Sequence, residues 1–270
     1  MDSPRCIKGV MLRGQRVWVL GAGYLGRILA ERCREVGAQV LTIDSSPAAA
    51  ADICADAADA EVLAHVLKQE GEPDYVFSCL ATRGGTVEDY RRCYLGAVRA
   101  LGTIGMAGRC VFCSSTSLYA GVTERNTVLQ EAEQEILGAG GAVARLAPIY
   151  GPGRCELLRR HLAREPRLSG APDRVLNYLH VQDAAEALLV LAVRGVKGVY
   201  PVSGEAFTKA EAYAMMERLS GIPAAAEDAP ASKRGGTSEI IDTAQLRALG
   251  WQPSWRFIDF VRAAVPAPSE

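Results

Sequence analysis

Short apolar runs alternate along this chain with longer stretches in which apolar residues recur at helical spacing. The runs at 15–20 (QRVWVL), 38–44 (AQVLTID), 51–54 (ADIC), 74–80 (DYVFSCL), 109–113 (RCVFC), 142–147 (AVARLA) and 198–202 (GVYPV) predict strands. Amphipathic stretches predict helices from the GAGYLG segment to Val36 and at 59–70, 86–104, 128–138, 155–164, 182–194, 208–220 and 243–249. Strands that are apolar throughout suit a parallel sheet covered on both faces. Regular strand–helix alternation predicts an α/β, doubly wound Rossmann-type sheet. After Gly151 the loops lengthen and fill with Pro and Gly, as in REPRLSGAPDR. The expected organisation is a dinucleotide-binding domain over 1–150 and a smaller substrate-binding portion over 151–270, interleaved with the first. The stretch 224–236 (AAAEDAPASKRGG) is expected to be a mobile loop.

With 270 residues, 49% of them hydrophobic and 23% charged, the chain fits a globular α/β protein. A formal net charge of −1 with scattered arginines gives no footprint for nucleic acid. No apolar run approaches the roughly 20 residues of a membrane span, and the N-terminal stretch lacks the apolar core of a secretory leader. A cytoplasmic enzyme acting on a small molecule, with its 8 cysteines as reduced thiols, is expected. Cys110 and Cys113 form a C-x-x-C, but on a strand positions three apart face opposite sides, which argues against a metal or redox pair. His65, His161 and His180 have no metal-ligand spacing.

The loop Gly21-Ala-Gly23-Tyr24-Leu25-Gly26 follows the first strand and opens a helix. Gly21 permits a tight turn, Gly23 lets backbone approach a pyrophosphate, and Gly26 lets helix and strand pack closely. The helix N-terminus offers free N–H groups to the phosphates. Asp44, 18 residues beyond Gly26, ends the next strand, where a carboxylate accepts from a ribose diol and repels a 2′-phosphate. NAD is therefore favoured; Ser45 and Ser46 leave a phosphate contact, and so NADP, open.

From these residues onward the chain resembles the extended short-chain dehydrogenase/reductases, the NAD-dependent epimerase/dehydratase family. The carrying segments are GAGYLG, ICADAAD (53–59), SCLA (78–81), FCSSTSLYAG (112–121), ARLAPIYGPGR (144–154) and NYLHVQDAAEALL (177–189). The resemblance implies that Asp56 and Ala57 meet the adenine and that Leu80 and Ala81 run beside the cofactor ribose. It implies that Pro148 and Ile149 lie against the nicotinamide carboxamide, and that Thr116, Asn177 and Tyr178 contact substrate. Relatives dimerise through the two helices after the fourth and fifth strands, which implies a homodimer; here the second of these, near 128–138, reads as short. In the family a Ser, a Tyr and a Lys four residues after the Tyr move the proton. Ser115 matches the Ser. No Tyr is followed by Lys at that spacing: aligning the helix on Glu133-Gln134 puts Arg125 and Leu129 there, and sliding it by two puts Thr127 and Glu131. The chain thus resembles an atypical branch that keeps the cofactor cradle without the Tyr-x-x-x-Lys pair.

Four residues stand as replacements or partners in catalysis: Ser115, Tyr119, Tyr150 and His180. Tyr119 follows the active-site strand and either donates a proton, given a nearby cation, or lines the wall; a free phenol has a pKa of about 10. Tyr150 is an acid or a shape element. His180 has the right pKa for proton transfer but equally suits a loop-fastening role. Arg83 is a candidate for an anionic substrate group, and Asp183 for a structural helix-start carboxylate. The reading followed is an NAD(P)-dependent oxidoreductase or epimerase-like enzyme acting on a polar carbonyl or alcohol, such as a sugar nucleotide. A catalytically silent NAD-binding protein and a lyase or isomerase using bound NAD are the alternatives.

Overall fold

The computed structural model describes residues 12–82, 84–230 and 239–265. Arg83 and the later part of the 224–236 loop lie outside the described residues. The strand runs β1 (Arg16–Leu20), β2 (Gln39–Asp44), β3 (Ile53–Cys54), β4 (Tyr75–Ser78), β5 (Cys110–Ser115), β6 (Ala142–Leu146) and β9 (Gly198–Val202) form one seven-stranded parallel sheet in the order β3-β2-β1-β4-β5-β6-β9. The order reverses between β1 and β4, so a crevice opens at their carboxyl ends, where doubly wound folds bind ligands.

Strand alternation sorts the core into two layers. Val17 and Val19 of β1, with Val111 and Cys113 of β5, enter the layer covered by α1 (Tyr24–Glu35) and α7 (Val181–Val193). Trp18, Leu20, Cys110 and Phe112 enter the opposite layer, under α2 (Ala60–Glu70), α4 (Ala97–Thr103) and α5 (Glu124–Gly138). Cys110 and Cys113 therefore face opposite sides, and no described cluster of metal-ligating side chains exists. Burial pushes the Cys33 thiol up to about 12, and the described cysteines are all free. No described helix is long and apolar enough to cross a membrane.

The C-terminal half does not stand apart. β9 closes the main sheet beside β6, and α7 packs on α1. What protrudes is a three-stranded sheet, β10-β8-β7, made by Glu205–Thr208, Val175–His180 and Ile149–Tyr150. With α6 (Glu156–Leu162), α8 (Lys209–Ser220) and α10 (Phe257–Ala264) it encloses a third core around Tyr150, Leu157, Met216 and Phe257. The described start of the 224–236 loop is tied down: Lys209 Nζ donates to Asp228 Oδ2 at 2.5 Å, and Arg167 pairs with the same carboxylate.

The elements depart from the sequence expectation in three ways. α5 begins at Glu124, four residues before the expected 128, because Thr123 caps it by accepting from Asn126 N–H at 3.1 Å; the polar ERNT turn carries no apolar periodicity to announce it. The stretch expected as one helix over 86–104 consists of α3 (Val87–Tyr90), a π-helical segment over Arg91–Gly96, and α4. The wider turn brings Gly96 to Ala58, where a Cβ would lie 3.1 Å from the Ala58 methyl. β7, β8, β10 and α10 are too short or too irregular in pattern to have been called from periodicity.

Candidate functional site

The crevice is built first by glycine. Gly21 leaves β1 at φ +91°, and a side chain there would strike the backbone of Cys79 and Leu80 at 2.9 Å. A Cβ on Gly26 would lie 1.8 Å from the Gly21 carbonyl oxygen, so α1 reaches the strand only without one. Gly23 differs: a Cβ there meets nothing within 4 Å. The space before the helix is open, and Gly23 caps α1 with no side-chain hydrogen bond. The first ladder bond is Arg27 N–H to Gly23 O at 3.0 Å, leaving the earlier N–H groups outside the helix ladder. Open space, free donors and the positive helix end fit a pyrophosphate.

Asp44, at the end of β2, accepts from Ala22 N–H and Ser46 N–H at 2.8 Å each. The carboxylate is thus fixed to the glycine loop and keeps acceptor capacity for a diol. Ser45 follows it, exposed. Asp56 is held by Arg92, whose Nε and Nη2 reach Oδ2 at 3.1 and 2.5 Å, and accepts from Ala58 N–H. Against some desolvation, these hydrogen bonds hold its carboxyl below the usual range. Ala57 beside it is buried, Leu25 packs into the core, and Leu80 and Ala81 line the path after β4. Tyr24 Oη donates to Pro152 O at 3.1 Å and carries the Arg154 guanidinium over its ring at 5.3 Å, docking the GPGR turn on the glycine loop. Pro148 O accepts from Leu179 N–H, which fixes Pro148 and Ile149 against β8.

The catalytic candidates part company in this geometry. Tyr150 is 1% exposed, ringed edge-on by Tyr178, His180, Phe257 and Phe260, and desolvation raises its phenol pKa far above the ordinary value. His180 is buried, stacked on Trp255 at 4.1 Å, and caps α7 by accepting Gln182 N–H at Nδ1 (3.3 Å). Its proton therefore sits on Nε2, which has no partner. Asn177 spends its amide on backbone, donating to Glu239 O and accepting from Ile241 N–H. Tyr178 stacks on Phe207 at 11°. Asp183 is fully buried and accepts from Ser254 and Trp255, tying the C-terminal segment to α7. Ser115 Oγ accepts from Ser117 N–H at 3.1 Å, capping the 3₁₀ turn Thr116–Ala120, and its own O–H remains available. Thr116, the first residue of that turn, is buried.

Burial pushes the His180 imidazole down to about 4 from an ordinary value of 6.5. The unfolded chain then takes up a proton near pH 6.5 that the folded protein refuses until about 4. Stability is full above 6.5 and falls as pH drops through that window, by about 3 kcal/mol at its foot. Urea melts of wild type and His180→Gln across this range check it: the wild-type curve should fall more steeply, and parallel curves would refute the assignment.

A residue without an assigned role in the sequence stands beside Tyr119. Arg145, the arginine that opens R-x-x-x-x-YGPGR, projects from β6 opposite Ser114. Its Nε and Nη2 donate to Glu133 Oε1 and Oε2 at 2.9 and 2.5 Å, and Ser114 Oγ donates to the same carboxylate at 2.6 Å. Its guanidinium carbon lies 5.2 Å from the Tyr119 ring centroid. With the helix aligned on Glu133-Gln134, the Tyr and Lys positions of the relatives fall on Arg125, which donates to Gly85 O and lies over Tyr90, and on Leu129, which is buried; slid by two they fall on Thr127 and Glu131. The motif arginine was the available signal for Arg145; its partners on another strand and helix were not visible in line.

Residues 17–139 match the model of the NAD dependent epimerase/dehydratase family. No curated protein sequence matches the chain. Among solved structures, the Bordetella bronchiseptica enzyme WbmG in complex with NAD and UDP is similar at TM-score 0.77 and 18% identity, over 93% of each chain. MoeE5 in complex with UDP-glucose and NAD is similar at 0.73 and 22%, over 91% of this chain and 96% of that one. The Thermotoga maritima UDP-glucose 4-epimerase with UDP-glucose is similar at 0.74 and 17%, over 92% and 96%. At these identities the likeness is one of fold.

Proposed function

We propose, from the premise that residues 17–139 are a domain of the NAD-dependent epimerase/dehydratase family, that this protein is an NAD-dependent epimerase-like enzyme acting on a polar carbonyl or alcohol carbon of a sugar nucleotide. The observation that carries the reading is the open face of Gly23 beside a carboxylate anchored to the same loop. The dinucleotide, when bound, supplies hydride acceptance and donation. The chain holds it: α1 receives the pyrophosphate, Asp44 a ribose diol, Asp56 and Ala57 the adenine, and Leu80, Ala81, Pro148 and Ile149 flank the other end. Ser115 directs its O–H at the substrate oxygen. MoeE5 with UDP-glucose and the B. bronchiseptica enzyme with UDP point to a nucleotide-linked sugar as the substrate class. A homodimer through the faces of α4 and α5 belongs to the same reading; a groove of ≈ 750 Å³ runs between them, lined by Val98, Gly102, Gln130 and Gln134.

Calorimetry with NAD, NADH, NADP and NADPH tests the cofactor. NAD(H) is expected to bind at least tenfold more tightly than NADP(H). Asp44→Ala is expected to lose about 10²-fold in NAD affinity, because hydrogen bonds to a charged acceptor contribute about 1.5–3 kcal/mol each. Equal affinities for the two cofactors, or an unaltered Asp44→Ala, would overturn the assignment. Substrate oxidation is then followed as reduced-nicotinamide absorbance with UDP-glucose, UDP-glucuronic acid and dTDP-glucose.

A further inference from the structure

The relatives' proton device needs a phenol that reaches the substrate and a cation that steadies its oxygen. Neither alignment of the helix restores the Tyr and Lys; aligned on Glu133-Gln134 the positions fall on Arg125 and Leu129, and the Arg125 guanidinium is already engaged at Gly85 O and Tyr90. We infer that Tyr119 is the proton donor and acceptor of this enzyme and that Arg145, clamped by Glu133, is the cation that replaces the missing lysine. The inference rests on the NAD-dependent reading above and deepens it.

Four observations converge. Tyr119 is 40% exposed, whereas Tyr150 and His180 are sealed at 1% and 2%. It sits in the turn Thr116–Ala120 at the carboxyl end of β5, the rim at which this fold binds ligands. Ser115 caps that same turn through its Oγ, so the matched serine and Tyr119 belong to one turn at one rim. Arg145 lies over the Tyr119 ring, and its charge is held on first by the hydrogen bonds to Glu133, against desolvation, and then by interaction with the Tyr119 hydroxyl. A guanidinium only donates. It therefore cannot take the Tyr119 proton, which is left to the substrate side.

The clamp explains the choice of arginine. Glu133 takes Nε and Nη2 in a forked pair, and Ser114 completes the carboxylate from the neighbouring strand. The guanidinium plane is thereby fixed, with N–H groups left for Tyr119. A lysine has neither the fork nor the plane. In the reducing direction the Tyr119 O–H bond breaks, the proton forms an O–H bond on the substrate oxygen, and the electron pair stays on the phenolate facing Arg145. In the oxidising direction the phenolate takes the hydroxyl proton back. Over a cycle that oxidises and then reduces the same substrate, no proton is consumed. Tyr119 is thus the catalytic residue, and Arg145 and Glu133 are positioning residues.

The test loads wild type, Tyr119→Phe, Arg145→Lys and Arg145→Met with NAD and adds UDP-glucose, UDP-glucuronic acid or dTDP-glucose. Tyr119→Phe should keep its melting temperature and its NAD affinity within twofold, while the single-turnover rate falls about 10²–10⁴-fold with little change in KM. Compared at conditions where melting curves show both variants folded, Arg145→Lys should recover part of the rate that Arg145→Met loses, and Arg145→Met should move the pH–rate profile to higher pH, which a purely structural arginine would not do. A second readout needs no turnover. Tetranitromethane should nitrate Tyr119 in the free protein, and bound sugar nucleotide, with binding verified by calorimetry, should protect it. A Tyr119→Phe rate within threefold of wild type, or nitration undiminished in the complex, overturns the inference while leaving the cofactor reading standing. A wild type that binds NAD yet neither binds nor oxidises any of the three sugar nucleotides overturns the sugar-nucleotide reading, and this inference with it.

Discussion

Gly23→Ala is expected to fold as well as wild type and to lose dinucleotide binding by 10²-fold or more. Gly23 has φ −72° and ψ −157°, backbone that alanine adopts without strain, and a Cβ there meets nothing within 4 Å. The methyl costs the free protein almost nothing. It occupies the approach of a pyrophosphate to the first N–H groups of α1, so the loss falls on binding alone. Gly26→Ala is the opposite case. Its Cβ would stand 1.8 Å from Gly21 O, inside any contact distance, and the obstacle is backbone that cannot swing aside. Displacing α1 from β1 is expected to destabilise by about 3 kcal/mol or more, because overpacking and backbone strain are among the few mechanisms that reach that size. Melting curves and NAD calorimetry on the two variants separate the roles. A Gly23→Ala protein that binds NAD as wild type does would remove the pyrophosphate from this loop.

The second large effect is expected at the Glu133–Arg145 pair. Glu133 is 1% exposed and Arg145 20%, so the carboxylate depends on its partners far more than the guanidinium does. Arg145→Met strands a buried charge with only Ser114 to serve it, and the expected loss is about 3–5 kcal/mol. That is a large share of the roughly 5–15 kcal/mol that holds a typical domain together. Glu133→Gln should lose less, since Arg145 retains a path to water. The double variant Glu133→Leu/Arg145→Met should be more stable than Arg145→Met alone, because an apolar pair leaves no charge uncompensated. Denaturant titration of the four proteins measures the coupling, and a double variant no better than Arg145→Met would show that the pair is not a buried charge clamp. Such losses would also lower activity without any catalytic meaning, which is why the proton role of Arg145 is read from lysine rescue and from Tyr119→Phe.

The reading in line reached the glycine loop, Asp44 and the parallel strands because each is local. The turn that Gly21 makes and the close pass of Gly26 depend on residues within one β–α–β unit, and the alternation of β1 into two core layers follows from backbone geometry. It reached the absence of a Tyr-x-x-x-Lys pair for the same reason. It went astray where a signal is not periodic. Helix α5 starts on a polar turn announced only by the Thr123 cap, and α10 owes its place to Phe257 and Val261 seated in a core assembled from five other elements.

The chemistry of the candidates divides along that line. From order along the chain, Tyr119, Tyr150 and His180 all stand as candidate proton donors. Folding buries two of them, Tyr150 inside an aromatic ring of neighbours and His180 against Trp255, and leaves Tyr119 at the rim. It also sets Arg145 of β6 over that phenol and clamps it with Glu133 of α5, which Ser114 of β5 serves as well, although Ser114 and Arg145 are far apart in the chain. The sequence by itself determined the sheet, the cofactor loop and the loss of the usual acid, because these are written in spacing. Only the tertiary structure decided which tyrosine meets a cation and which histidine is sealed, because burial and long-range charge pairing exist only once separate strands and helices are packed together.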